Sequence, residues 1–289
     1  MAEKYEQIAF QGAPGAYSDL ACRTLFPNLQ TLPCNSFEDA FLAVNNREAD
    51  LAMIPVDNTI AGRVADVHHL IPEGGLYITG EFFLPIQHCL LGLKGAKKEG
   101  LKHVHSHIHA LPQCRKFISR LGLKGHVHAD TAGAAEEVSR KNDPEHCAIA
   151  SSLAAEIYGL EIFEKDIQDA QHNTTRFLIL APEPEIPPLK KDEAYITSLT
   201  FAVRHIPAAL YKSLGGFATN GISLAKLESY VDENFQAAQF YCDLEAHPES
   251  AAYKRAFEEL QFYARNVKFL GAYKSHPLRK TYRRDPAEI

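Results

Sequence analysis

The feature that most limits the fold of this chain is a repetition over its first 180 residues: short β-rich runs, each leading through a turn into a helical segment. Gln7-Ile8-Ala9-Phe10 reads as a strand, and the turn Gly12-Ala13-Pro14-Gly15 carries it into a helix through Leu20, Ala21 and Leu25. Ser36 with Asp39 has the spacing of an N-cap, and the helix it opens puts Phe37, Ala40, Phe41 and Val44 on one face. Residues 51–55 read as a short buried strand ending in proline, and 76–83 and 88–93 as further strands. Val104-His105-Ser106 leads into a helix over 110–121. Val127-His128-Ala129 leads into 131–140, and Ala148-Ile149-Ala150 into 152–158, stopped by Gly159. Such alternation predicts mostly parallel sheets with helices on both faces, and ligands gathered where strands end and helices begin.

The pattern breaks at residues 181–192, a stretch with four prolines and five charges that reads as a linker. The expected division is a first domain over 5–181, a linker over 182–193, a second domain over 194–276 and a polar tail over 277–289 whose end is disordered. Within the second domain, a strand (195–203) precedes a helix (207–219) capped by Gly221. A strand pair (222–230 and 236–245) surrounds Asp232-Glu233-Asn234, and a helix (250–263) and a last strand (267–273) follow. The order βαββαβ is that of a ferredoxin-like unit. A unit this small exposes a sheet face or edge that pairing with a second copy would bury, so a homodimer or homotetramer is expected.

Composition removes several function classes. A net charge of −6 over 289 residues argues against a nucleic-acid partner, whose readers carry a basic face. No apolar run approaches a membrane span, and the charged start Met1–Glu6 lacks the apolar stretch of a signal peptide, so the expected place is the cytoplasm, without membrane association. The six cysteines are scattered, with neither a C-x-x-C pair nor zinc spacing, and read as buried hydrophobes. An anionic metabolite would find no global steering here and would need local arginines or helix N-termini.

Gly12-Ala13-Pro14-Gly15-Ala16-Tyr17-Ser18, the run from Ile54 through Asp57-Asn58-Thr59 to Gly62, and Asn173-Thr174-Thr175-Arg176-Phe177 resemble signature segments of the prephenate dehydratases. Ser106-His107-Ile108-His109-Ala110-Leu111, Asp130-Thr131-Ala132 and Ala148-Ile149-Ala150-Ser151 fall in the family's order, and the C-terminal unit resembles its ACT-type regulatory domain. The resemblance implies an α/β catalytic domain of two lobes, similar to periplasmic binding proteins, with the site in the cleft. It implies loss of the ring carboxylate and C4 hydroxyl of prephenate to give phenylpyruvate, with no cofactor and no metal. Thr175 matches the catalytic threonine, suited to donating a hydrogen bond to the leaving oxygen. Arg176 is suited to gripping a carboxylate and Phe177 to excluding water beside the ring. Asn58 and Thr59 are candidates for bonds to substrate oxygens, and Asp57 for carrying a proton or orienting a neighbour. Ser106, Thr131 and Ser151, each near a helix start, are candidates for carboxylate binding or simply N-caps. His109 stands where the family has glutamine.

L-Phenylalanine is the expected effector. Ala208, Ala209 and Leu210 match one of the family's phenylalanine motifs with alanine in place of glycine. Leu224, Glu228 and Ser229 belong to the second, where Tyr230 and Val231 replace Arg-Pro. Arogenate dehydratase differs only in the substrate's side chain, a non-enzymatic binding protein would use the same cleft, and a pure amino-acid sensor would have a degenerate N-terminal part. The alternation His103, His105, His107, His109 would put four imidazoles on one strand face, but no carboxylate or cysteine accompanies them as a metal ligand. The Gly12–Ser18 segment lacks the ending of a nucleotide-binding loop.

Overall fold

Three β-sheets underlie the alternation; the computed structural model describes residues 5–204, 206–231 and 237–281. The first lobe runs β1 (Gln7–Gln11), α1 (Tyr17–Leu25), β2 (Gln30–Cys34), α2 (Phe37–Asn45), β3 (Leu51–Asn58), β4 (Gly62–Arg63), α3 (Ala65–Glu73) and β5 (Tyr77–Pro85). The second runs β6 (Cys89–Gly92), β7 (His103–His107), α4 (Ala110–Gln113), α5 (Arg115–Arg120), β8 (Lys124–His128), α6 (Thr131–Lys141), β9 (His146–Ala150), α7 (Ser152–Tyr158) and β10 (Glu161–Glu164). The chain then returns to the first sheet as β11 (Thr174–Ala181), giving the orders β2-β1-β3-β11-β5, with β4 on β3, and β10-β6-β9-β7-β8. The two lobes are therefore joined twice, by the crossovers 86–88 and 165–173.

The expectation of mostly parallel sheets holds around β1, parallel to β2 and β3, and around β7, parallel to β8 and β9. It fails at β6, which enters from the first crossover antiparallel to both β9 and β10. The single helix read over 110–121 is two, broken at Cys114. The Gln113 carbonyl accepts from Asp169 N (2.6 Å) rather than continuing the helix. Strands β2 and β10 and helix α3 add to the elements expected from the sequence, which marks them weakly: β2 is polar and half-exposed, β10 is short, and Pro72 lies inside α3. Thr131 is not a cap. Asp130 is, its side chain accepting from Gly133 N (2.7 Å), so that helix start already holds a carboxylate.

The strand period of two divides the second sheet. Leu90, Val104, Cys147 and Ile149 pack with Phe117 on one face, while Leu91, Ala148 and Ala150 pack under α6 on the other. Four imidazoles do come together, but not the four read along the run. His103 and His105 of β7 meet His126 of β8 and His146 of β9, whereas His109 lies past the strand at the start of α4. His103 Nδ1 lies 3.0 Å from His126 Nε2, and His105 Nε2 lies 2.7 Å from His146 Nδ1. The His105–His126 and His103–His146 rings stack. Burial pushes His105 down to about 4; Glu137 opposes this, and His126, His146 and Lys141 add to it. An imidazole kept neutral in the fold but titrating near 6.5 when unfolded costs stability as pH falls, because the unfolded chain takes the proton first. Urea unfolding should therefore show about 2 kcal/mol less stability at pH 5 than at pH 7 from this residue. His105→Gln should flatten that slope, and an equal slope in the variant would show that His105 does not supply it.

The chain forms two compact units, Met1–His68 with Phe82–Phe177, and His69–Glu81 with Leu178–Ile289. The second contains β12 (Tyr195–Val203), α8 (Ala209–Thr219), β13 (Leu224–Val231), β14 (Ala237–Leu244), α9 (Ala251–Tyr263), β15 (Ala264–Lys274) and α10 (Leu278–Thr281). Its sheet order, β13-β14-β12-β15 with antiparallel pairs, is ferredoxin-like. Phe201, Phe217, Phe240 and Leu260 fill the space between sheet and helices. The Asp232-Glu233-Asn234 turn lies outside the described residues. The stretch read as a linker is tied down: Tyr195 Oη donates to Pro188 O (2.8 Å) and accepts from Lys190 N (3.0 Å), and His247 Nε2 donates to Pro187 O (2.7 Å). The start of the tail is tied too, with Arg279 bonding both carboxylate oxygens of the buried Glu81 (2.7 and 2.8 Å) and lying 3.8 Å from Asp243.

Of the six candidate effector residues, Ala209 is buried, Leu210 and Leu224 pack against this core, Glu228 pairs with Lys226 (3.1 Å), and Ser229 is exposed opposite Phe240. None lines the cavity of about 580 Å³ found in this unit, which opens at the Tyr195 end of β12 and the Asn220 end of α8. Ala208 precedes α8 at φ 59°, a left-handed conformation in which a Cβ is strained. Ala208→Gly should raise stability by about 1 kcal/mol, read as a higher thermal midpoint. An unchanged midpoint would mean that the strain is relieved locally.

Candidate active site

Strand alternation decides how the residues around β3 and β11 are grouped. Asn58 Nδ2 donates to Thr175 Oγ1 (2.9 Å) and to Asn173 Oδ1 (2.8 Å). Asp57 and Arg176, one residue along each strand, face the other way and approach each other at 3.7 Å. The four residues read as one catalytic group are thus two pairs on opposite faces of two strands. Arg176 is buried (6% exposed) beside Asp57 rather than beside Thr175, and Phe177 is wholly buried in the strand. Thr59 closes the loop after β3: its hydroxyl donates to His172 O (2.6 Å) and accepts from Thr174 N (2.9 Å).

The polarity of the first pair is fixed by the backbone. Asn58 Oδ1 accepts from Ile60 N (2.9 Å) and Ala61 N (2.8 Å), two donors that cannot reverse, so its amide nitrogen must face Asn173 and Thr175. Asn173 then presents its oxygen to Asn58 and its nitrogen to Gln113 Oε1 (2.8 Å). Thr175 accepts from Asn58, which leaves the threonine proton to be donated elsewhere. Beyond Gln113 lie His88 Nε2 (2.8 Å from Gln113 Oε1) and Tyr17 Oη (2.7 Å from His88 Nδ1). This chain of polar side chains runs from α1 through both crossovers to β11.

The remaining candidates are placed apart from it. Ser106 is buried and donates to Ile149 O (2.6 Å). Ser151, also buried, caps α7 by accepting from Ala154 N (3.1 Å) and donates to Gly15 O (2.6 Å), tying the second lobe to the Gly12–Gly15 turn. Both hydroxyl protons are committed to backbone carbonyls. His109 is exposed against the His107 ring, apart from the hydrogen-bonded series that contains Gln113. The sequence reading missed Gln113, Asn173, His88 and Tyr17 as site residues. Asn173 and Tyr17 lie inside recognised segments, and Gln113 follows one by two residues. Among the described residues, no group of three or more His, Cys, Asp or Glu side chains is arranged to hold a metal ion.

Comparison with known proteins gives the family of the chain. The family model of prephenate dehydratase matches residues 8–185. A bifunctional N-acyl-homoserine lactone acylase/prephenate dehydratase of Komagataeibacter europaeus is 47% identical over 94% of this chain and 97% of its own. An arogenate dehydratase/prephenate dehydratase of Arabidopsis thaliana is 42% identical over 92% of this chain and 71% of its own. The structure of a prephenate dehydratase from Arthrobacter aurescens, solved in complex with L-Phe, superposes with a TM-score of 0.85 at 25% identity, covering 93% of this chain and 90% of that one. A family match over more than half the chain, carried by relatives that span nearly all of it, means that this chain belongs to the prephenate dehydratase family.

Proposed function

We propose that the chain converts prephenate to phenylpyruvate, carbon dioxide and water, with Thr175 as the hydrogen-bond donor to the departing hydroxyl. The observation that carries this reading is the direction of the Asn58 amide, which fills a lone pair of Thr175 and leaves its proton for another acceptor. As the bond to the ring carboxylate breaks, its electron pair enters the ring and expels the C4 oxygen. Carbon dioxide and hydroxide leave, and the ring becomes aromatic. Hydroxide leaves poorly unless its charge is stabilised as it forms, and a donor aimed at that oxygen does so without giving up its proton outright. Asn58 orients Thr175, and Asn173 and Gln113 hold Asn58. Asp57 and Arg176 brace the two strands from behind. Arogenate shares the reacting ring, and the Arabidopsis relative carries both substrates in its name, so the same Thr175 step applies to either.

Regulation by L-phenylalanine is part of this proposal. It is supported by the ferredoxin-like topology and by the L-Phe complex of the Arthrobacter relative. Backbone groups near Ala208 and Leu224, at an interface between two copies of the chain, are the proposed contacts. Because such contacts depend little on side chains, Ala208 and Tyr230 are compatible with them. The reading places a homodimer or homotetramer in the cytoplasm.

Thr175→Ala should lower kcat on the order of 100-fold with unchanged circular dichroism, followed through phenylpyruvate absorbance. Asn58→Asp should lower it at least as far, since a carboxylate still accepts from Ile60 and Ala61 but offers nothing to Thr175 and draws its proton inward. An Asn58→Asp enzyme keeping a tenth of wild-type kcat would defeat the orientation argument. Millimolar L-phenylalanine should weaken apparent prephenate affinity by roughly 5–150-fold. Calorimetry without a phenylalanine binding isotherm would remove the regulatory part and leave the catalytic part standing.

A further inference from the structure

His88 forms part of the first crossover and is 2% exposed. Its backbone is held to the second crossover twice, its N–H donating to Gln168 Oε1 (2.9 Å) and its carbonyl accepting from Ile167 N (3.1 Å). Its ring lies between the Tyr17 hydroxyl of the first lobe and the Gln113 amide of the second. The direction of the bonds around it follows from Asn58. Since Gln113 Oε1 already accepts from Asn173, it must accept again at His88, so Nε2 carries the proton and Nδ1 the lone pair. That lone pair takes the Tyr17 proton at 2.7 Å, in competition with Gln87 O at 3.0 Å. The opposite tautomer would set the bare Nε2 against Gln113 Oε1, two acceptors face to face in a buried site. Burial disfavours the cation and lowers the pKa of the ring, and Cys89 and Cys114 lie near the hydroxyl that faces it.

We propose that His88 is a positioning residue for the dehydration step: as the neutral Nε2–H tautomer, anchored at Nδ1 by Tyr17, it donates to Gln113 and holds Gln113 and Asn173 in place against Asn58, and so keeps the Asn58–Thr175 pair where the reaction needs it. The inference rests on the function proposed above. Its reach is a distance of several side chains, so it acts on the chemical step and not on substrate affinity. Imidazole Nε2 and the side-chain nitrogen of glutamine lie at similar reach from the backbone, so glutamine can replace the donor while methionine cannot.

The test has two readouts. Long-range ¹H–¹⁵N spectra of histidine-labelled full-length protein, with His88 assigned through its loss in His88→Gln, should show a neutral Nε2–H ring between pH 5.5 and 8, and the same tautomer in Tyr17→Phe, where Gln113 Oε1 still requires a donor. In prephenate turnover, His88→Met should lose about tenfold or more in kcat with KM within about twofold, and His88→Gln should recover most of it. An Nδ1–H or cationic His88 at pH 7 would overturn the proposal. So would wild-type kcat in His88→Met, or a His88→Gln enzyme as slow as His88→Met. A wild-type protein that does not turn over prephenate would strike the proposed function instead, and the spectra would still decide the direction of the bonds.

Discussion

Two backbone N–H groups, those of Ile60 and Ala61, govern the catalytic region by holding one amide oxygen. Main-chain donors cannot rotate or change protonation, so they impose a sense on everything bonded to the other end of Asn58. Each subsequent amide has one orientation that pairs donors with acceptors and one that sets like against like, at a cost of about 1–3 kcal/mol for each group left unsatisfied. The result is a one-way series that leaves the Thr175 proton outside it. A tight turn after β3, an ordinary piece of local structure, thereby becomes part of the chemistry.

The double crossing of the chain gives that series its place. Asn173 and His88 sit on the two connecting segments, while Tyr17 and Gln113 come from helices of different lobes. A hydrogen-bond series strung between lobes exists only when both are in register, so the donor at Thr175 is assembled by tertiary structure rather than by the strand that carries it. Ser151, through Gly15, adds a second tie between lobes at the buried start of α7.

Much of this was legible in the sequence, and the limits have physical causes. Strand–turn–helix periodicity located β1, β3, β7 and β9, and Ser36 and Gly159 marked helix ends as expected. The βαββαβ order could be read because Pro-rich chain separates it from what precedes. Periodicity did not reveal that α4 and α5 are distinct, since the break depends on Asp169, 56 residues after Gln113, taking a carbonyl. Recognised segments led to Asn58 and Thr175, but could not show that Arg176 and Asp57 face away, because residue lists carry no strand geometry. His88 and Gln113 had no local signature: their meaning comes from partners 71 and 60 residues distant. The stretch 182–193 has a linker's composition yet is fastened by Tyr195 and His247, whose hydrogen bonds composition does not encode.

The ion pair between Arg279 and Glu81 bears on the order in which the molecule is made. Glu81 leaves the ribosome 198 residues before its partner. At about 5–20 residues per second, the interval is roughly 10–40 s, during which the β5 carboxylate lacks the arginine that satisfies it in the finished fold. Burying a carboxylate without its partners costs several kcal/mol, and His276, whose N–H also donates to Glu81, is made almost as late as Arg279. The first lobe can therefore begin to fold early, but the unit containing His69–Glu81 closes late.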